Sequence, residues 1–208
     1  MKLTSTSFSH GARIPGEFAF GVPDPAAHLA LGRNLNPHLA WSGAPAGTRS
    51  FVLLCVDTDV PTRGDDVNKE GRVVPASLPR TEFNHWCMVD IPPTVTDIAA
   101  GACSDGIVAR GKRSPPGPAG SRQGLNDYTR WFAGDPDMGG QWYGYEGPCP
   151  PWNDELLHHY HFIVYATDLD RCPVEGAFTG PDVERAIAGH VLAEARLTGT
   201  YTLNPSVG

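Results

Sequence analysis

The run SFVLLCVDTDV, residues 50–60, constrains the fold more than any other stretch, because it is near-continuously apolar and then switches abruptly to carboxylates and Pro61. Apolarity on both alternating faces marks a central strand covered on both sides. On one of those faces period-two alternation lines up Leu53, Cys55, Asp57 and Asp59. Two more strands share this design. FNHWCMVDIPP, residues 83–93, places His85 and Cys87 on one face and stops at Pro92 and Pro93. HHYHFIVYAT, residues 158–167, places His158, Tyr160 and Phe162 on one face and His159, His161 and Ile163 on the other. The expectation is that three strand ends converge on a small polar pocket.

A chain of 208 residues, 40% of them apolar, suits a single domain with one core, spanning residues 1–208. Glycine (24) and proline (20) make up about a fifth of the residues, and helical periodicity is scarce before the C-terminus, which favours a loop-rich β protein. PDPAAHLALGRNLNPHLAWSGAPAG, residues 23–47, holds too many prolines, glycines and asparagines for a regular element and reads as an ordered loop anchored by Leu39 and Trp41. TRGDDVNKEGRVVPASLPRT, residues 62–81, reads as a long surface excursion, and residues 112–122 as a basic, proline-rich, mobile loop, more simply solvated than a binding patch. Near the C-terminus Thr179 is placed as a helix cap, with Pro181 at the first helical position and Asp182 three residues after the cap. Val183, Ile187, Val191 and Leu192 share an apolar stripe, so this helix is expected to run to about Ala195, with TYTL closing the domain as a strand.

A formal charge of −7 provides no basic field for nucleic acid or an anionic membrane surface. No stretch approaches the ~18 apolar residues of a membrane span. The five cysteines, Cys55, Cys87, Cys103, Cys149 and Cys172, are odd in number and lack a CxxC pair, which favours reduced thiols in the cytoplasm.

Asp57 and Asp59 stand at the end of an apolar strand, where burying a carboxylate costs several kcal/mol, by the usual order-of-magnitude desolvation estimate, unless it is paired. Two readings satisfy them: a strand-end turn accepting backbone N–H bonds, or a carboxylate that orients a histidine. His85 and His158 taken singly are satisfied core histidines. Taken together with Asp57 they make a donor set, in which the aspartate holds one ring nitrogen and the other N–H meets an anion, with the Tyr160 hydroxyl alongside. GPCPP, residues 147–151, is a stiff wall in which Gly147 permits close backbone approach and a proline can be cis, while Cys149 is inert packing or a reactive thiol. No basic residue is indicated at the pocket. GxSxG, HExxH, a phosphate loop and a dinucleotide fingerprint are all absent, so no cofactor and no metal are expected, although Asp57, His85 and His158 could in principle ligate one.

These ordered motifs resemble those of the phosphatidylethanolamine-binding protein family, in its bacterial branch similar to the Raf kinase inhibitor protein. NPHLAW with PAGTRSF, VDTDVP, FNHWCMVDIP, GPCPP with LHHYHFIVYATD, and GHVLAEARLTGTY fall at the family's spacing along nearly the whole chain. The resemblance implies a large antiparallel sheet packed with a smaller one plus peripheral helices, and a non-catalytic pocket for phosphate or a phosphoryl headgroup. By position it implies a ligand site of Asp57, Asp59, Pro61, His85, Gly147, Cys149, Pro150, His158 and Tyr160. It also implies a homodimer. Thr58 stands where the motif has proline, and His159 where it has arginine after the pocket histidine, which removes a fixed cation. Three functions are therefore carried forward: a binding module for a small anion, an inhibitor of a protein partner acting through the pocket rim and long loops, and a hydrolase using Asp57 and His85.

Overall fold

The computed structural model describes residues 1–207. Twelve elements are used below: β1 (Lys2–Thr4), β2 (Gly21–Asp24), β3 (His28–Leu31), β4 (Leu39–Ser42), β5 (Ser50–Pro61), β6 (Arg80–Ile91), β7 (Asp97–Ile98), β8 (Arg122–Gln123), α1 (Tyr128–Trp131), β9 (His158–Thr167), α2 (Gly180–Ile187) and β10 (Val191–Tyr201). The large sheet has five antiparallel strands in the order β10-β9-β5-β6-β8; β1-β4-β7 form a smaller sheet and β2-β3 a hairpin.

The fully apolar run is central, as its pattern requires. β5 pairs with β6 on one side and β9 on the other, and both of its faces are buried. Phe51, Leu53 and Cys55 pack with Trp86, Met88, Phe162 and Val164 against Leu39 and Trp41 of the smaller sheet. Val52, Leu54 and Val56, with Cys87 and Val89, pack instead under Val183 and Ile187 of α2. Burial of this kind yields roughly 25 cal/mol per Å² of apolar surface, which makes the two-sided sheet the main source of stability. No helix among the described residues is long and apolar enough to cross a membrane.

Three local expectations are corrected. Residues 21–31 form a hairpin, in which Asp24 accepts the Ala26 and Ala27 N–H groups and Pro23 sits on a two-stranded ribbon that does not need its donor. The C-terminal helix has the expected cap, with Thr179 and Asp182 hydrogen-bonded reciprocally, but it ends at Ile187. Ala188 leaves the helical region, Gly189 takes φ 83°, and Val191 and Leu192 open β10 as exposed residues: pairing with β9 prevails over helical periodicity. Residues 112–122 are tied at both ends, Lys112 to buried Glu146 and Arg122 to Asp90, so they do not form the free loop their composition suggests. The residue 62–79 excursion is likewise pinned: the Asn153 amide donates to the carbonyls of Asp66 and Arg72.

Candidate functional site

The site lies where β6, β5 and β9 run side by side. Asp57 is opposite Phe83 on β6 and Tyr160 on β9. Regular alternation would have put His85 with Cys87, under α2. It does not, because the β5–β6 register slips between Cys55 and Val56: Cys55 faces Trp86 and Val56 faces Asn84, which leaves His85 as the extra residue of a β-bulge. A bulge re-aims the side chain it carries. His85 therefore stands near Tyr160, with ring centroids 5.1 Å apart, while Cys87 stays beneath the helix. A second slip, between Asp57 and Val60, separates the two aspartates. Asp59 turns to His159, accepting its backbone N–H and meeting its ring Nδ1 at 2.9 Å. Asp57 faces the interior.

His158 occupies a closed cluster. Its Nδ1 lies 2.7 Å from Asp57 Oδ2 and its Nε2 lies 3.2 Å from Asp154 Oδ2, all three side chains being almost wholly buried. Both partners are carboxylates, so both ring nitrogens act as donors and the ring is an imidazolium. Burial alone would lower its pKa, but the charges and hydrogen bonds of Asp57 and Asp154 outweigh burial and raise it to about 9. Burial likewise pushes the Asp57 carboxyl up, and His158, with smaller help from His85 and the Asp59 N–H, more than reverses this, leaving its pKa below the ordinary value. Arg80 completes the set: Nη1 and Nη2 donate to Asp154 at 2.5 and 2.9 Å, and Nη1 also reaches the Asp59 carbonyl. Two cations face two carboxylates, and His158 keeps no N–H for a guest and no lone pair for a metal. Among the described residues no group of three or more His, Cys, Asp and Glu side chains could hold a metal ion.

His85 is only half engaged. Its Nδ1 lies 2.8 Å from the Glu146 carbonyl oxygen, which can only accept, so Nδ1 carries the hydrogen; the Glu146 N–H returns a bond to the His85 carbonyl at 3.0 Å. Nε2 has no partner among the described residues. Burial lowers the His85 pKa from its ordinary value, with the Asp57 charge opposing, so the ring is held towards its neutral form. Behind it the Glu146 side chain is wholly buried, taking Lys112 Nζ at 2.6 Å and the Asn34 amide. Burial raises that carboxyl to about 7 despite Lys112.

A cavity of about 370 Å³ opens above His85 and Tyr160. Cys149 lines it with them, but its thiol is pushed up to about 12 by burial and is packing rather than a nucleophile. The other predicted site residues do not line it. Asp57 and His158 lie beneath, Asp59 faces away, and the neighbours Val60 and Pro151 take the places expected of Pro61 and Pro150. Gly147 serves the wall from behind: a Cβ there would come within 2.1 Å of the Phe18 carbonyl oxygen, and its own carbonyl accepts the Tyr128 hydroxyl at 2.9 Å. No peptide bond of GPCPP is cis. The remaining lining is mostly apolar and was not foreseen, including Phe20, Phe83, Tyr128, Trp131, Phe132 and Met138. The sequence signal for it was DYTRWF, residues 127–132. Asp154 had a signal too, four residues before His158.

The family profile described as phosphatidylethanolamine-binding protein matches residues 4–202. A curated relative from Methanothermobacter thermautotrophicus is 30% identical over 203 residues, covering 97% of this chain and 98% of its own. YbhB of Escherichia coli (strain K12) is 29% identical over 202 residues, covering 97% of this chain and all of its own. The crystal structure of Escherichia coli YbcL, described as a new member of the mammalian PEBP family, matches with a TM-score of 0.69 at 28% identity and 97% coverage of both chains. The chain therefore belongs to the phosphatidylethanolamine-binding protein family and is of the bacterial YbhB/YbcL type.

Proposed function

We propose that this chain is a non-catalytic cytoplasmic binding protein whose cavity receives the phosphoryl or carboxyl end of a small ligand. The observation that carries this reading is the asymmetry of His85, with one ring nitrogen locked to a backbone carbonyl and the other free beside the Tyr160 phenol. Five free cysteines, four of them buried, support the cytoplasmic assignment.

None of the residues lining the cavity is Lys, Arg, Asp or Glu. A fully ionised phosphate would meet no cation there, and an unpaired buried charge is strongly disfavoured. The free Nε2 is an acceptor while His85 is neutral. Binding therefore brings in a proton, either on the ligand as a P–OH or carboxylic O–H donating to Nε2, or on His85 as an imidazolium donating to the anion. Either route stores one more proton in the complex than in the separated protein and dianion.

The sign follows. His85 titrates below its ordinary 6.5 in the free protein, and a bound anion raises it, so affinity increases as pH falls through that range. Calorimetry with methyl phosphate is expected to show at least tenfold tighter binding at pH 5.5 than at pH 8, with proton uptake, and loss of that dependence in His85→Gln. Affinity that rises with pH, or that His85→Gln leaves intact, would contradict the reading.

A further inference from the structure

The β2–β3 hairpin supplies Leu29 and Leu31 to the cavity lining but pairs with neither of the larger sheets. It is bound at its base: the Gly21 N–H donates to the Pro148 carbonyl at 3.1 Å, the Gly32 N–H to the Phe20 carbonyl at 2.7 Å, and the Tyr201 hydroxyl to the Gly21 carbonyl at 2.9 Å. From Val22 to Leu31 the ladder is internal, and among the described residues one hydrogen bond leaves the ribbon, from His28 Nε2 to Glu70 Oε1 at 2.6 Å. The His28 ring is also stacked on Trp152, with centroids 3.9 Å and planes 11° apart. Trp152 is itself fixed to the excursion that carries Glu70: its N–H donates to Asn68 Oδ1 and the Asn68 N–H donates to Asn153 Oδ1, each at 3.0 Å. A lone two-stranded ribbon is marginally stable in water, so the side-chain contacts near its tip decide whether it stays down.

We infer that the β2–β3 hairpin is a lid on the cavity, and that His28, stacked on Trp152 and bound to Glu70, is its latch. The contact lies at the surface, with the His28 side chain 43% and that of Glu70 80% exposed, so it opens without disrupting the core. His28 begins β3 and holds φ 65°, a conformation that histidine, asparagine and aspartate tolerate better than most side chains. Its release leaves the ribbon held by its base alone and free to lift Leu29 and Leu31 off the opening. Cys149 lies under that base: a Cβ on Gly21 would come within 2.5 Å of its Sγ, and alone among the five cysteines it is not wholly buried. The lid concerns access to the cavity and stands apart from the head-group reading.

The test needs no ligand. The protein is treated with N-ethylmaleimide under native conditions, and the labelling rate at each cysteine is read by peptide mass spectrometry. Losing both the stack and the ion pair in His28→Asn, which keeps a residue suited to the left-handed backbone, is expected to raise the Cys149 rate about three- to tenfold. Trp152→Leu removes the same stack from the frame side and is expected to raise it by about threefold. Glu70→Gln, at an exposed carboxylate, is expected to give a smaller rise in the same direction. Cys55, Cys87, Cys103 and Cys172 are buried and are expected to stay protected throughout. A Cys149 rate within about twofold of the wild type in either His28→Asn or Trp152→Leu would overturn the latch, that being the range of an exposed contact that contributes nothing. A rise shared by the four buried cysteines would overturn it too, as general loosening of the fold rather than movement of a lid.

Discussion

His85 and His158 lie on strands that flank the same central β5, and each meets the field of Asp57, yet they occupy opposite kinds of environment. Around His158 every charge has a counter-charge: Asp57, Asp154 and Arg80 close the set and leave nothing to offer. Around His85 one nitrogen is satisfied by the chain and one is not, and the unsatisfied side opens on a cavity. Buried polarity that is completely paired holds strands and loops in place. Polarity that is paired on one side only, with room beside it, is where a guest can be held. The difference separates two residues that their strand positions made look equivalent.

The comparison breaks first at Asp154. If the closed cluster is structural, Asp154→Ala leaves His158 Nε2 without its acceptor and Arg80 without a carboxylate, and lowers stability by about 3–5 kcal/mol, read from urea unfolding. A loss under about 1 kcal/mol, the range of an exposed pair, would mean that the cluster is solvated and the contrast false.

A smaller effect comes from pH. His158 has its pKa raised from 6.5 to about 9 in the folded chain, so its contribution is complete below 6.5 and is lost as pH rises through 9. Glu146, raised from 4.5 to about 7, adds a loss of the same sign at lower pH, so the interval above 7 reports on His158. There the unfolding free energy is expected to fall with a slope of up to about 1.4 kcal/mol per pH unit. A flat profile from pH 7 to 9 would show that His158 is neutral and the cluster unbalanced.

The large sheet was legible because its signals are local and redundant: β5 is apolar on both faces, β9 alternates, and Pro92 marks the end of β6. The site was legible as a gathering of Asp57, His85, His158 and Tyr160 but not as a division of labour. Bulges have no signature in a strand-like sequence, and two of them decide which way His85 and Asp59 point. Asp154 and Arg80 escaped notice because the saturation of His158 depends on a contact with the end of a long excursion, which no period describes. The apolar wall escaped notice because its residues come from a proline-containing hairpin and a four-residue helix, both too short to show a periodicity. At residues 188–191 the helical stripe and strand pairing competed for the same residues, and only the partner strand decides between them.

The most direct test of the central claim is a two-dimensional NMR experiment on the histidine ring nitrogens during titration with methyl phosphate at pH 6. The account predicts that His85 Nε2 moves from the position of a bare acceptor towards that of a hydrogen-bonded or protonated nitrogen, while His158 keeps two protonated nitrogens throughout. A response at His158 with His85 unmoved would contradict it.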